Sequence, residues 1–165
     1  MAEPKTLILD HNTILTKIDR IACEICEKHT DSAGLLVVGL NERGFYLASA
    51  LVKKMEQILP SIATTLVQVV CEGKNSPAYL TETNFHNEHV LVVDDVINTG
   101  RTLMMVLQHI FEQKPLSIET AFLAKREHRS FPVKADYVGI SLATTMLEHV
   151  HFDNSNPESL NVFLN

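Results

Sequence analysis

VLVVDDVINTGRTL, from Val90 to Leu103, passes from wholly apolar to acidic to turn-forming and back to apolar. The run Val90-Leu91-Val92-Val93 has no polar interruption, as expected of a strand buried on both faces of a parallel sheet. Asp94 and Asp95 end it, Asn98-Thr99-Gly100-Arg101-Thr102 makes a polar turn, and Leu103, Val106, Leu107 and Ile110 then recur at helical spacing. A strand, a glycine turn and a helix entrance in succession bring unpaired backbone amides to one spot, which suits a phosphate. Thr99 and Thr102 add hydroxyl donors and Arg101 adds charge. Two adjacent carboxylates repel each other unless a cation or a diol shares them. A ribose carrying a 5′-phosphate meets both needs, hydroxyls for the acids and an anion for the turn. The same residues also fit an ordinary acid-rich turn that caps a helix, and taken alone they leave both readings open.

Upstream, Leu35-Leu36-Val37-Val38-Gly39-Leu40 is a second buried-strand run. It leads through Asn41-Glu42-Arg43-Gly44 into a predicted helix from Phe45 to about Leu59, stopped by Pro60. The amides of this turn and Arg43 offer a second anion site, with a plain strand-to-helix loop as the alternative.

The first stretch, VVDDVINTGRTL, resembles the phosphoribosyl pyrophosphate (PRPP) motif of type I phosphoribosyltransferases, and VGLNERG resembles the pyrophosphate loop of the same family. The resemblance implies that Asp94 and Asp95 are the catalytic acids, holding the ribose hydroxyls and, directly or indirectly, Mg²⁺. It assigns the 5′-phosphate to Val96, Asn98, Thr99, Gly100, Arg101 and Thr102, and pyrophosphate to Leu40, Asn41, Glu42, Arg43 and Gly44.

Elsewhere the chain alternates. Residues 5–9 form a short predicted strand ending in the cap-type residues Asp10-His11-Asn12, and Ile14, Leu15, Ile18, Ile21, Ala22 and Ile25 mark a helix broken at Thr30-Asp31-Ser32. Ser61 to Val70 reads as a third strand, and Cys71 to Glu88 as a polar loop or hairpin over a site. Strands are also predicted at Ile118–Ala124, in the short stretch Ala135–Gly139, and at Val162-Phe163-Leu164. Lys125-Arg126-Glu127-His128-Arg129 is rich in cations, and a solvated loop is favoured there over an RNA or phosphate patch. Such alternation predicts an α/β fold with a parallel sheet, its ligands beyond the carboxyl ends of the strands.

The length of 165 residues fits one domain over 1–165, with 45% hydrophobic and 21% charged residues. No apolar run approaches membrane length and the first residues lack a signal pattern, so a cytoplasmic location is expected. Cys23 and Cys26 form a C-x-x-C pair on a helical pattern; burial explains them better than metal, since no second ligand pair follows at metal spacing. A net charge of −6 argues against a large nucleic-acid face.

The resemblance covers nearly the whole chain and extends to the pyrimidine operon regulator/uracil phosphoribosyltransferase group. LAKREHRSFPVKADYVG resembles that group's base-pocket segment, which implies Lys125, Asp136, Tyr137 and Val138 as base-binding residues. The implied fold is a five-stranded, mainly parallel core sheet with a small hood built from the chain ends. The implied activity is Mg²⁺-dependent transfer of 5-phosphoribosyl from PRPP to a nucleobase, uracil-like by preference, in a homodimer or higher homo-oligomer. Two departures stand out. CEGKNSPAYLTETNF replaces a longer, Tyr-Arg-Asp-Asp-bearing closing loop, and Lys125 and Asn98 stand where the uracil and 6-oxopurine enzymes, respectively, carry Asp. They leave the base undecided and raise an alternative: a regulator that senses PRPP or a nucleotide with little catalysis. RNA is not expected as a partner, because the first helix sets Asp19, Glu24 and Glu27 against Lys17, Arg20 and Lys28.

Overall fold

The computed structural model describes residues 5–71, 83–127, 129–145 and 148–165. A five-stranded sheet has the order β3-β2-β4-β5-β6, with β2 (Leu35–Leu40), β3 (Thr64–Val69), β4 (His89–Ile97), β5 (Ser117–Arg126) and β6 (Tyr137–Leu142), every neighbouring pair parallel. The unbroken apolar runs explain why β2 and β4 lie inside it. Alternate residues go to opposite faces of a strand, and both faces are covered. Val37, Leu91, Val93, Ala121 and Leu123 pack beneath α1 (His11–Lys28) and α2 (Asn41–Ile58). Val38, Val90, Val92 and Phe122 pack beneath α3 (Arg101–Glu112), against Leu103, Val106 and Ile110. Each such side chain taken out of water contributes roughly 1.5–3 kcal/mol.

Helix α1 starts where its cap residue says it should. The Asp10 carboxylate accepts the amide of Thr13 at 2.9 Å, and Ile14, Ile18, Ile21 and Ile25 form its buried stripe. Cys26 is buried there with its thiol 3.7 Å from the Met55 carbonyl of α2, whereas Cys23 is exposed. Among the described residues no cluster of His, Cys, Asp or Glu gathers to hold a metal. No helix among them is long and apolar enough to cross a membrane.

The chain ends form the expected hood: β1 (Thr6–Leu9), β8 (Asn161–Leu164) and β7 (Val150–Asp153) make an antiparallel sheet in the order β1-β8-β7. It is seated on α2, the rings of Tyr46 and Phe152 lying 6.2 Å apart. Strand β7 was not anticipated, because an alternation limited to Val150 and Phe152 is too short to stand out.

Three boundaries differ from the sequence expectation in ways that matter for the site. Helix α2 begins at Asn41, not Phe45, so residues 41–44 are its first turn instead of a loop. Strand β4 continues to Ile97, so both aspartates lie on the sheet. Strand β5 runs to Arg126, which places Lys125 and Arg126 on a strand instead of a solvated loop. Of the polar loop or hairpin expected at 71–88, residues 72–82 lie outside the described residues.

Candidate active site

A cleft of about 430 Å³ opens at the carboxyl end of β4. Asn41, Glu42 and Arg43 from α2 line one side of it, Asp94 to Ile97 the floor, and Asn98 to Leu103 the other side. Two helix entrances therefore face each other across an acid pair. Helix α1, away from the cleft, is capped by a side chain; α2 and α3 are not. The cap residue of α2 is Leu40, which has no acceptor to offer, and that of α3 is Gly100. First-turn amides left without a capping side chain carry the positive end of the helix dipole. The cleft thus has a helix entrance on each of two walls, the kind of place that attracts an anion.

Gly44 makes the approach of the walls possible. A Cβ there would lie 2.8 Å from the Val93 carbonyl oxygen and 2.9 Å from Asp94 Oδ1. No side chain fits between α2 and β4 at this point, so the glycine brings the turn of residues 41–43 down onto the acid pair. Leu40 is fully buried and, like Gly44, does not line the cleft. Neither residue presents a side chain to the cleft; Gly44 sets how closely the first turn of α2 approaches β4.

Asp94 is the electrostatic centre. Its Oδ1 accepts the Asp95 amide at 2.9 Å. Burial and then the Asp95 charge push its carboxyl well above the usual carboxylate range, with Arg43 pulling weakly the other way. Phe122 pairs with Asp94 in register across β4 and β5 and also lines the cleft. Nothing in the sequence marked it apart from its place in an apolar strand, and only the register brings it there.

The α3 wall is braced from behind. Gly100 has φ +83°, a left-handed conformation, and the Arg101 amide donates to Thr99 Oγ1 at 3.3 Å. The amides of Ser130 and Phe131 both donate to the Thr99 carbonyl at 3.1 Å. The Arg101 guanidinium stands 5.1 Å from the centre of the Phe131 ring. Residues 129–133 therefore pack behind the turn. The two arginines of this segment are engaged structurally: Arg126 donates to Thr144 Oγ1 at 2.7 Å and to the Thr145 carbonyl at 2.6 Å, and Arg129 donates to the Val133 carbonyl.

The base-pocket expectation fares differently. Lys125 pairs in register with the cleft-lining Ile97 at the carboxyl end of β5. Asp136, Tyr137 and Val138 do not line the cleft. The Asp136 carboxylate pairs with Lys134 at 2.6 Å and accepts the Thr120 amide at 3.0 Å. The Tyr137 hydroxyl donates to buried Glu119 at 2.6 Å, and burial followed by that carboxylate raises its pKa. Glu119 also meets Lys28 at 2.8 Å, and the Val138 carbonyl is taken by Arg20 at 2.6 Å. Strand β6 enters the sheet at Tyr137, opposite Ala121, and these contacts link β5, β6 and α1.

Comparison with known proteins places this geometry. Residues 5–154 match the model of the phosphoribosyl transferase domain family. The chain is 34% identical over 156 residues to the bifunctional protein PyrR of Macrococcus caseolyticus, covering 88% of this chain and 90% of that protein. It is 34% identical over 167 residues to the bifunctional protein PyrR of Pasteurella multocida, covering 90% and 92%. Its fold matches a hypoxanthine-guanine phosphoribosyltransferase of Bacillus anthracis with a TM-score of 0.75 at 20% identity, over 86% of each chain. It also matches the hypoxanthine phosphoribosyltransferase of Trypanosoma cruzi with a TM-score of 0.72 at 22% identity, over 82% and 80%. With an acid pair set between two helix entrances in a five-stranded parallel sheet, and a family match over nearly its whole length, this chain belongs to the phosphoribosyltransferase family and has its type I fold.

Proposed function

We propose that the protein transfers 5-phosphoribosyl from PRPP to a nucleobase, uracil-like by preference, and releases pyrophosphate. One observation carries the reading: two helix entrances whose cap residues, Leu40 and Gly100, offer no side-chain acceptor meet one acid pair in a single cleft. PRPP has the same layout, a ribose between a 5′-phosphate and a 1′-pyrophosphate. The Thr99–Thr102 turn and the α3 amides would hold the 5′-phosphate, and Asp94 and Asp95 the ribose hydroxyls. Arg43 and the α2 amides would receive the pyrophosphate.

As the C1′–O bond to pyrophosphate breaks, positive charge grows on the ribose ring and negative charge on the departing oxygens. Donors aimed at the place where charge develops stabilise that state more than the ground state. Arg43 and the first turn of α2 are set on the leaving side, the two carboxylates on the ribose side. The base nitrogen forms the new bond at C1′. Asn98 cannot accept its proton at neutral pH and would act only by hydrogen bonding. Lys125 is the cation nearest in register to the cleft floor and would meet an exocyclic oxygen of the base.

The donor set fits Mg²⁺. A hard dication of this size is commonly held by one or two carboxylates together with substrate phosphates, and Asp94 and Asp95 supply the carboxylates. When bound, the ion neutralises charge on the phosphate oxygens.

A second reading, a regulator that senses PRPP or a nucleotide, draws on the sequence replacement of the closing loop at residues 71–88. RNA as its target gains no support from α1, where Arg20 and Lys28 are engaged with Glu24 and Glu119 and Asp19 pairs with Lys54 of α2. Pyrophosphate release from PRPP and Mg²⁺, measured across uracil, hypoxanthine, guanine, xanthine and adenine, separates the two. The transferase reading expects release that depends on the base and is greatest with uracil. Saturable binding of PRPP with no release for any base would establish the sensor instead.

A further inference from the structure

Among the described residues three non-glycine positions have positive φ: Asn41, Asn87 and Lys114. Asn87 and Lys114 are exposed turn residues. Asn41 is different, since it opens α2 with φ 53° and lines the cleft. A left-handed residue costs an L-amino acid free energy, least for Asn, and persists where surrounding contacts fix it. Here the fixing contacts come from β3, the edge strand, and from Cys71 just past its end. Gln68 Nε2 donates to the Asn41 carbonyl at 3.2 Å, and the Cys71 amide donates to Asn41 Oδ1 at 2.9 Å. Gln68 stands opposite Gly39 in the β2–β3 register, two residues short of Asn41, so its side chain has the reach to grip the next turn of chain.

We propose that Gln68 is a positioning residue for the pyrophosphate wall. Its side-chain amide pins the left-handed Asn41, which keeps the first-turn amides of α2 and Arg43 aimed at the leaving group. Gln68 does not line the cleft and touches no reacting atom. It acts through Asn41, with the Cys71 amide as the second point of a two-point hold. The edge strand, remote from the ribose and the 5′-phosphate, thereby sets the affinity of one end of the substrate alone. The inference rests on the assignment of the α2 entrance to pyrophosphate.

The test titrates inorganic pyrophosphate and, separately, ribose 5-phosphate into the full chain with Mg²⁺ by calorimetry. It uses the parent, Gln68→Ala and Gln68→Met; the methionine keeps the bulk and removes the donor. Loss of one neutral hydrogen bond predicts a roughly 3- to 10-fold weaker pyrophosphate affinity in both variants. Ribose 5-phosphate affinity should not change. In turnover the same variants should lower kcat/KM for PRPP, with part of the loss in kcat because the misaimed donors face the departing pyrophosphate. Unchanged pyrophosphate affinity in both variants would overturn the proposal. So would equal weakening of both ligands, which is the mark of general structural damage. If the parent itself bound ribose 5-phosphate and not pyrophosphate, the assignment of the α2 entrance would fall, and the proposal with it.

Discussion

Asp94→Asn is expected to raise the melting temperature of the ligand-free protein while sharply lowering its turnover of PRPP. Both effects come from one cause. The Asp94 carboxyl is pushed above its ordinary value of 3.8 by burial and by the Asp95 charge, and Arg43 relieves this only weakly. A carboxyl whose pKa is higher in the fold than in the unfolded chain binds more protons when folded. Stability therefore falls as pH rises from the unfolded value toward the folded one, and the full penalty persists above it. Asparagine never ionises and escapes that penalty. The variant should melt roughly 2–4 °C higher at neutral pH, what about 1 kcal/mol gives a chain of this size. The gain should shrink toward zero as pH is lowered to about 4, near the unfolded carboxylate value. Against this, the ribose hydroxyls lose a charged acceptor. Each charge-assisted bond contributes about 1.5–3 kcal/mol, so PRPP-dependent turnover should drop roughly 10- to 100-fold or more. A melting scan across pH, paired with a turnover assay, reads both. A variant that melts lower than the parent at neutral pH would contradict the electrostatic account, and one that keeps full turnover would contradict the assignment of the acids.

Gly100→Ala is the second large effect. Gly100 sits at φ +83°, and a Cβ there would lie 2.6 Å from Val133 Cγ2. Alanine in a left-handed conformation costs about 1–2 kcal/mol, and the contact with Val133 adds to it. Relief by moving the turn would carry the Thr99 carbonyl away from the amides of Ser130 and Phe131 and re-aim the α3 entrance. The expected result is a loss of about 2–3 kcal/mol in denaturant unfolding, with ribose 5-phosphate affinity at least about 10-fold weaker, since ~1.4 kcal/mol is tenfold. Shaving Val133 to alanine in the same chain removes the steric part and leaves the conformational part. In a double-mutant cycle Gly100→Ala should therefore cost less in the Val133→Ala background than in the parent. Equal cost in the two backgrounds would show that Val133 is not what the added methyl meets.

These two residues also mark how much of the site was legible in the sequence. Asp94, Asp95 and Gly100 stood out because VVDDVINTGRTL resembles a known motif, while the residue chemistry alone left a plain helix-capping turn open. The apolar runs of β2 and β4 placed the sheet, and the carboxyl-end rule placed the cleft. What escaped was set by register. Phe122 reaches the cleft only because β5 pairs with β4 at Asp94, and a run of apolar residues carries no mark of which one faces the ligand. Register likewise sets where Asp136 and Tyr137 fall, since β6 pairs with β5 from Tyr137 opposite Ala121 and neither residue lines the cleft. The first turn of α2 was taken for a loop because Asn41, with its positive φ, and Gly44 are poor helix formers. Tertiary packing overrides that preference: Gly44 is there to touch β4, and Asn41 is held from β3.

The central claim is that one cleft binds both ends of a phosphorylated ribose, between the entrances of α2 and α3. Calorimetric titration of PRPP with Mg²⁺ into the ligand-free protein tests it most directly. The account predicts a single site per chain, with competition by pyrophosphate and by ribose 5-phosphate alike. Folded protein that takes up no PRPP, or that binds it without competition from either fragment, would contradict it.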